Sequence, residues 1–234
     1  MKSFQNLEYI FLHLDGVLLE NILGPILHSV IVNRLQGEYT SEIENHILAK
    51  PKESALEYLR EKLRLNLTNE ELFELYQKER SLFEKGNVIS AHPGILPFLR
   101  LLKDSGLKIM AYGGAPETYF ETNMGSYSEY FHDVRYIRTN EMRPGVLEII
   151  RKYGLEHHKC LFMDEEAYVG QVAKENHVPF IGFVTNFSYS FQPEEMEKIG
   201  IKHKVKSLEE VDLNLLEKID SECLEMKKEK AGKI

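Results

Sequence analysis

The sequence predicts an α/β fold: a doubly wound parallel sheet with an all-helical segment inserted after its first strand. Three observations predict it. The stretch Tyr9–Glu20, YIFLHLDGVLLE, is a short, almost continuously apolar run that breaks at Asp15-Gly16. That is the pattern of a buried strand feeding a tight turn. From about Gly24 to Lys85 only helical spacing occurs, and from about residue 91 to 185 strand and helix patterns alternate. Such alternation is the signature of βαβ units and a parallel sheet.

Taken in order, Pro25 opens a helix through Ile26, Val30 and Leu35 that Gly37 stops. Ser41 with Glu44, and Thr68 with Glu71, have the spacing of capping boxes. Ala55, Leu56, Leu59 and Leu63 recur at helical spacing between them, and Leu72, Leu75, Tyr76 and Phe83 follow. After His92-Pro93-Gly94, the stripe Ile95, Leu96, Leu99 and Leu102 predicts a helix ended near Gly106. Lys108–Tyr112 is a second strand, before Gly113-Gly114, and Glu117 begins the next helix. Val134–Ile137 is a third strand, and Pro144–Tyr153 a helix closed by Gly154. Cys160–Met163 is a fourth strand ending at Asp164-Glu165-Glu166, followed by a helix over Val169–Asn176 and a fifth strand over Phe180–Val184. Leu208, Val211, Leu215 and Ile219 mark a last helix. The expected division is a core over 1–19 and 89–222, a helical insert over 20–88, and a charged tail over 223–234.

Composition bounds the function. A chain of 234 residues with 43% apolar residues can bury one sizeable core. Its net charge of −8 argues against a nucleic-acid partner, which favours a basic face. No apolar run approaches the ~20 residues of a membrane span. The N-terminal MKSFQNLE lacks a secretory signal, and the cysteines, Cys160 and Cys223, have no metal-binding spacing. A reduced, cytoplasmic protein without nucleic-acid or membrane partners is expected.

In an open parallel sheet, chemistry sits beyond the carboxyl ends of the strands. His13 and Asp15 lie at such an end, two apart and so directed to one side of the strand. The stretch HLDGVLL resembles the first motif of the haloacid dehalogenase-like (HAD) phosphatase superfamily, an apolar strand followed by Asp-x-Asp-Gly-Val-Leu. Asp15, Gly16, Val17 and Leu18 match, whereas His13 stands in the place of the family's nucleophilic Asp. HPGILPFLRLLKDSGLKIMAY resembles the helix and strand leading to the second motif, but Gly113, followed by Gly114, stands where a Ser or Thr hydroxyl is usual. Tyr130-Phe131-His132-Asp133 resembles the segment before the third strand, Arg143-Pro144 the third motif with Arg for Lys, and CLFMDEE the acidic fourth motif.

The resemblance implies a Rossmann-like sheet, a helical cap over the site and phosphoryl transfer. In the family the first Asp attacks phosphorus, the second acts as acid and base, and a hydroxyl, a cation and magnesium stabilise the transferring group. Carried over, catalytic roles fall on His13, Asp15 and Arg143. Phosphate binding falls on Gly113, Gly114 and Arg143, and metal ligation on His13, Asp15, Asp164 and Glu165.

The departures leave readings open. His13 is a neutral hydrogen-bonded imidazole, a phosphohistidine nucleophile, or a metal ligand; magnesium prefers oxygen, whereas His with Asp164 and Glu165 suits manganese, zinc or iron. Arg143 is a structural ion pair, with Asp164 for instance, or an anion clamp. Glu165-Glu166 is a solvated acidic turn or part of a metal site. Tyr119 and its aromatic neighbours are read as core. Two functions follow. The first is a phosphatase-like pseudoenzyme that binds a small phosphorylated molecule or a protein partner. The alternative is a divergent metal-dependent phosphohydrolase of a small phosphate ester.

Overall fold

The computed structural model describes residues 4–139 and 142–231. Six strands, β1 (Tyr9–His13), β2 (Lys108–Gly113), β3 (Tyr136–Arg138), β4 (Cys160–Asp164), β5 (Phe180–Phe183) and β6 (His203–Val205), form one sheet in the order β3-β2-β1-β4-β5-β6. Every pairing is parallel. The order reverses around β1, so the crevice where such folds bind ligands lies at the carboxyl ends of β1 and β4.

The apolar run of β1 is continuous because both faces of the sheet are covered. Ile10 and Leu12 point into one core, which holds Phe98, Leu99 and Leu102 of α5 (Ile95–Asp104), Phe120 of α6 (Glu117–Met124) and Leu216 of α10 (Leu213–Ala231). Phe11 points into the other, with Ile149 of α7 (Val146–Tyr153), Ala173 of α8 (Ala167–Glu175) and Met196 of α9 (Gln192–Lys198). Ile10, Phe11 and Leu12 are wholly buried, each contributing roughly 1.5–3 kcal/mol.

Between β1 and α5 the chain forms α1 (Leu23–Ser29), a π-helical turn (Val30–Arg34), α2 (Ser41–Ile47), α3 (Lys52–Lys62) and α4 (Asn69–Gly86). Among the described residues, no strand occurs in this segment, as expected. It has its own apolar cluster, built on Ile31, Ile43, Leu59 and Leu72. Its two ends are zipped together: Glu20 N–H donates to Ser90 O at 3.0 Å and His92 N–H to Leu18 O at 3.0 Å.

The capping expectations divide. Thr68 and Glu71 form the reciprocal box that starts α4. Ser41 and Glu44 do not form one. Thr40 is the N-cap of α2, its hydroxyl accepting from Ile43 N–H, and Ser41 Oγ donates to Glu195 of α9 at 2.8 Å. Glu44 is buried instead. Its carboxylate accepts from Tyr39 Oη at 2.9 Å, Phe191 N at 2.8 Å and Gln192 Nε2 at 2.9 Å. A buried carboxylate needs such partners, and here they fasten the helical segment to the start of α9.

Three further expectations are adjusted. The third strand is displaced to Tyr136–Arg138, and β6 was not anticipated because its three residues are too short to show a period. The final helix runs on to Ala231, past residue 223 where a charged tail was expected, because Cys223 packs into the core. Residues 232–234 of that tail lie outside the described residues.

Candidate functional site

β1 and β4 are adjacent, in register from Tyr9 with Cys160 to Leu12 with Met163, so His13 and Asp164 emerge side by side. Both are buried, as are Glu165 and Glu166. The solvated-turn reading of Glu165-Glu166 is therefore corrected: the turn is roofed by the helical segment and by Gln192, whose Oε1 accepts from Ala167 N–H at 2.7 Å.

His13 Nδ1 lies 2.9 Å from Glu165 Oε2 and 3.7 Å from Asp164 Oδ1. Asp164 is held in turn by the Tyr112 hydroxyl at Oδ2 and by Glu166 N–H at Oδ1, 2.9 Å away. The glycine after Asp15 makes room for this. Gly16 has φ +98°, and a Cβ there would sit 2.3 Å from Glu165 Cδ. The expectation that Arg143 pairs with Asp164 is not met. Among the described residues Arg143 forms no ion pair, and its guanidinium packs on Gly114, where a Cβ would lie 2.3 Å from Nη2.

Electrostatics follow from burial and crowding. Burial opposes charge on His13, but Asp164, Glu165 and Glu166 outweigh it and push the imidazole up to about 10. His13 is thus a hydrogen-bonded imidazole at the strand end, with the surrounding acids favouring its protonated form. Burial also pushes Glu165 up to about 8 and Glu166 up to about 7, because one imidazolium cannot balance three buried acids. Burial raises Asp15 above the usual carboxylate range, against His13, Arg80 and the Tyr119 hydroxyl, which donates to Oδ1 at 3.0 Å.

A cavity of about 670 Å³ opens between this strand end and the inserted helices. His13, Asp15, Gly114, Arg143 and Glu166 line it from the sheet side; Lys50 and Arg80 line it from the helical side. Lys50 Nζ sits 3.0 Å from the centre of the Tyr168 ring, and both Lys50 and Arg143 act on the charge of Glu166. Glu166 Oε2 is buried without a hydrogen-bond partner among the described residues. Gly113 is buried at the end of β2, its carbonyl accepting from Thr139 N–H at 2.7 Å.

Most candidates of the sequence therefore meet at one place. The ligand atoms of His13, Asp164 and Glu165 lie within 4.8 Å of one another, whereas Asp15 turns to Tyr119. Sequence reasoning missed four contributors. Tyr112 was read only as strand and Tyr119 as core, while Lys50, in the turn between α2 and α3, and Arg80, on α4, were not singled out; only the fold brings these last two over the strand end. For Tyr119 the signal was available: a tyrosine in the first turn of the helix that follows Gly113-Gly114 at the carboxyl end of β2.

The donor set tests the metal expectation. An imidazole with two carboxylates fits a divalent transition ion such as manganese or zinc better than magnesium, which takes oxygen ligands. Binding one requires His13 to lose its proton and Glu165 to give up its hydrogen bond.

No family model matches this sequence, and no curated protein does. Solved structures match well. A HAD hydrolase of family IA, variant 3, from Entamoeba histolytica aligns with a TM-score of 0.65 at 11% identity, covering 92% of this chain and 100% of that one. A hydrolase from Pseudomonas syringae gives 0.64 at 15% identity, over 88% and 99% of the two chains. A HAD family hydrolase from Deinococcus radiodurans R1, with bound phosphate and sodium, gives 0.58 at 14% identity, over 88% and 93%. The chain has the HAD-like fold, over nearly its whole length. Among the described residues, no helix is long and apolar enough to cross a membrane.

Proposed function

We propose that this protein binds a small phosphorylated molecule in the cavity between the sheet and the helical segment, and that it does not turn phosphate esters over by the phosphoaspartyl route. One observation carries the reading: His13, at the place of the nucleophile, is buried with its Nδ1 tied to Glu165 Oε2 at 2.9 Å. Position 13 offers no carboxylate to attack phosphorus, and the acids around the imidazole favour its protonated form, which has no lone pair to give.

The remaining groups favour holding an anion. Arg143 presents a planar fork of donors beside Gly114, suited to a phosphate, and Lys50 faces the same point. His13 contributes positive charge where a nucleophilic carboxylate would repel a phosphate. Burial raises Asp15 above the usual carboxylate range, which lessens its repulsion of an anion. The ligand-binding role, the cytoplasmic setting and the cap role of residues 20–88 belong to this proposal.

A second reading rests on the donor trio within 4.8 Å. With His13 neutral, His13, Asp164 and Glu165 would hold a manganese or zinc ion, which when bound supplies Lewis-acid stabilisation of phosphoryl charge. In that reading Arg143 orients the ester and Asp15 protonates its leaving oxygen.

Titration calorimetry with inorganic phosphate and ethyl phosphate, beside turnover assays in magnesium, manganese and zinc, separates the two. Saturable binding without turnover is expected. Robust turnover that His13→Ala abolishes would overturn the binding reading in favour of the enzyme.

A further inference from the structure

The cavity has two chemically different ends. The sheet end carries the acids, His13 and Arg143 already described, and Lys50 and Arg80 face it from the helical side. The helical wall is built from Leu27, Val30, Leu56, Leu59, Leu72 and Phe73, supplied by α1, the π-helical turn, α3 and α4. Leu59, Leu72 and Val30 are buried, and the other three are half-buried, their remaining surface lining the cavity. These side chains are the apolar stripes whose helical spacing is plain in the sequence. They fill the insert's own core on one side and wall the cavity on the other.

The wall is poor in groups that could recognise hydroxyls. Among the described lining residues Gln77 is the one amide side chain, and it stands exposed at the rim. Of the two tyrosine hydroxyls, Tyr119 donates to Asp15, and Tyr76 accepts from Arg80 at 3.4 Å beside the charged end. A polyhydroxylated ligand would exchange water for an apolar wall and leave its hydroxyls unpaired, each at a cost of about 1–3 kcal/mol. An apolar ligand body would gain from the same wall. Over the cavity as a whole, five basic side chains against three acids keep the balance toward anions. A volume of about 670 Å³ is in the range of a small-molecule site and far exceeds what a phosphate alone would fill.

We infer that the ligand is an amphiphile: a phosphate monoester whose organic part is an unbranched or lightly substituted hydrocarbon rather than a sugar. It is held as a single molecule, head against Arg143 and Lys50, chain against the α3–α4 wall. This rests on the anion-binding reading above and narrows it.

The test is a chain-length series on the wild-type protein: ethyl, hexyl and decyl phosphate, each below its micelle concentration, with glycerol 1-phosphate and decanol as controls, by titration calorimetry. Affinity should rise along the series, with decyl phosphate at least 30-fold tighter than ethyl phosphate and glycerol 1-phosphate no tighter than ethyl. Leu56→Gln should compress the series, weakening decyl phosphate most, and Arg143→Gln should weaken all three esters by a similar factor. Equal affinity along the series would overturn the amphiphile and leave anion binding standing. Binding of decanol but of no ester would overturn both, and so would the absence of any binding.

Discussion

His13 Nδ1 and Glu165 Oε2 lie 2.9 Å apart, and both side chains are buried. His13, at the end of β1, is thus held against the acids of the β4 turn. Positive charge now comes from the chain itself at the point where the acids of the β4 turn converge. Tyr112 and the Glu166 N–H complete the arrangement by occupying Asp164.

That pair makes stability depend on pH in a fixed direction. His13 is raised to about 10 in the folded chain from an ordinary value of 6.5, so the stability it contributes is full below pH 6.5 and lost as pH climbs toward 10. Glu165 and Glu166 are raised from 4.5 to about 8 and about 7, so the folded chain also holds more protons than the unfolded one across that lower window. Both effects have the same sign. The urea midpoint should fall steadily between pH 6 and pH 9.5, and the double variant His13→Gln, Glu165→Gln should flatten the fall. A flat wild-type profile would show that the imidazole is neutral.

Glu44 should matter more to stability than any exposed acid of the helical segment. Its carboxylate takes three hydrogen bonds, two from the α9 region. Glu44→Ala leaves the Phe191 N–H and the Tyr39 hydroxyl without acceptors, each costing about 1–3 kcal/mol, and leaves Gln192 Nε2 with Asn45 Oδ1 alone at 3.3 Å. Glu53, fully exposed on α3, is the comparison: Glu53→Ala should change the denaturation midpoint little. Equal midpoints for the two variants would remove Glu44 as the fastening of the segment.

The same residue shows where the sequence was readable and where it was not. The strand–helix alternation gave the parallel sheet because burial on both faces leaves a continuous apolar run, as in Ile10–Leu12. The motif spacing brought His13, Asp164 and Glu165 to one end because β1 and β4 pair in register. Local spacing misread Ser41 and Glu44 as a cap, since their partners, Glu195, Phe191 and Gln192, lie some 150 residues away. Arg80 and Lys50 escaped for the same reason. Nothing local tells a residue of the helical segment that will overhang a strand end from one that will face water. The charge of His13 was also out of reach, because it depends on three acids that only the fold buries beside it.

Gly114 should control Arg143. A Cβ at this position would lie 2.3 Å from Nη2, and the obstructed atom is the far end of a flexible side chain. Gly114→Ala should therefore move the guanidinium at little cost to folding and weaken phosphate binding by about tenfold, equivalent to ~1.4 kcal/mol. Gly16→Ala is the contrasting case. At φ +98°, with Glu165 Cδ at 2.3 Å, it strains the backbone and displaces a buried acid, and should cost stability of about 1–3 kcal/mol or more. Thermal denaturation beside phosphate titration reads both, and unchanged phosphate affinity in Gly114→Ala would remove Arg143 from the binding site.

Gly113 and His13 should behave as one unit. A Cβ on Gly113 would lie 3.7 Å from His13 Nε2 and 3.2 Å from Tyr136 Oη, so the two heavy atoms that threonine adds beyond Cβ would crowd the imidazole. An aspartate at position 13 is shorter and relieves that crowding on the His13 side. Gly113→Thr alone should therefore destabilise the protein, His13→Asp alone should leave the β4 acids without their cation, and the double variant should be more stable than the sum of the two. Residues in contact typically show coupling of about 0.5–3 kcal/mol in such a cycle. The double variant should also gain magnesium-dependent turnover of aryl phosphates that neither single variant shows. It restores a carboxylate nucleophile and a hydroxyl for the equatorial oxygens, while Asp15 alone offers acid–base help of only ~10²–10⁴-fold. Additive stabilities would refute the steric unit. A folded, coupled but inert double variant would place the loss of turnover elsewhere, with Glu165 the next residue to change, because its carboxylate fills the space against Gly16.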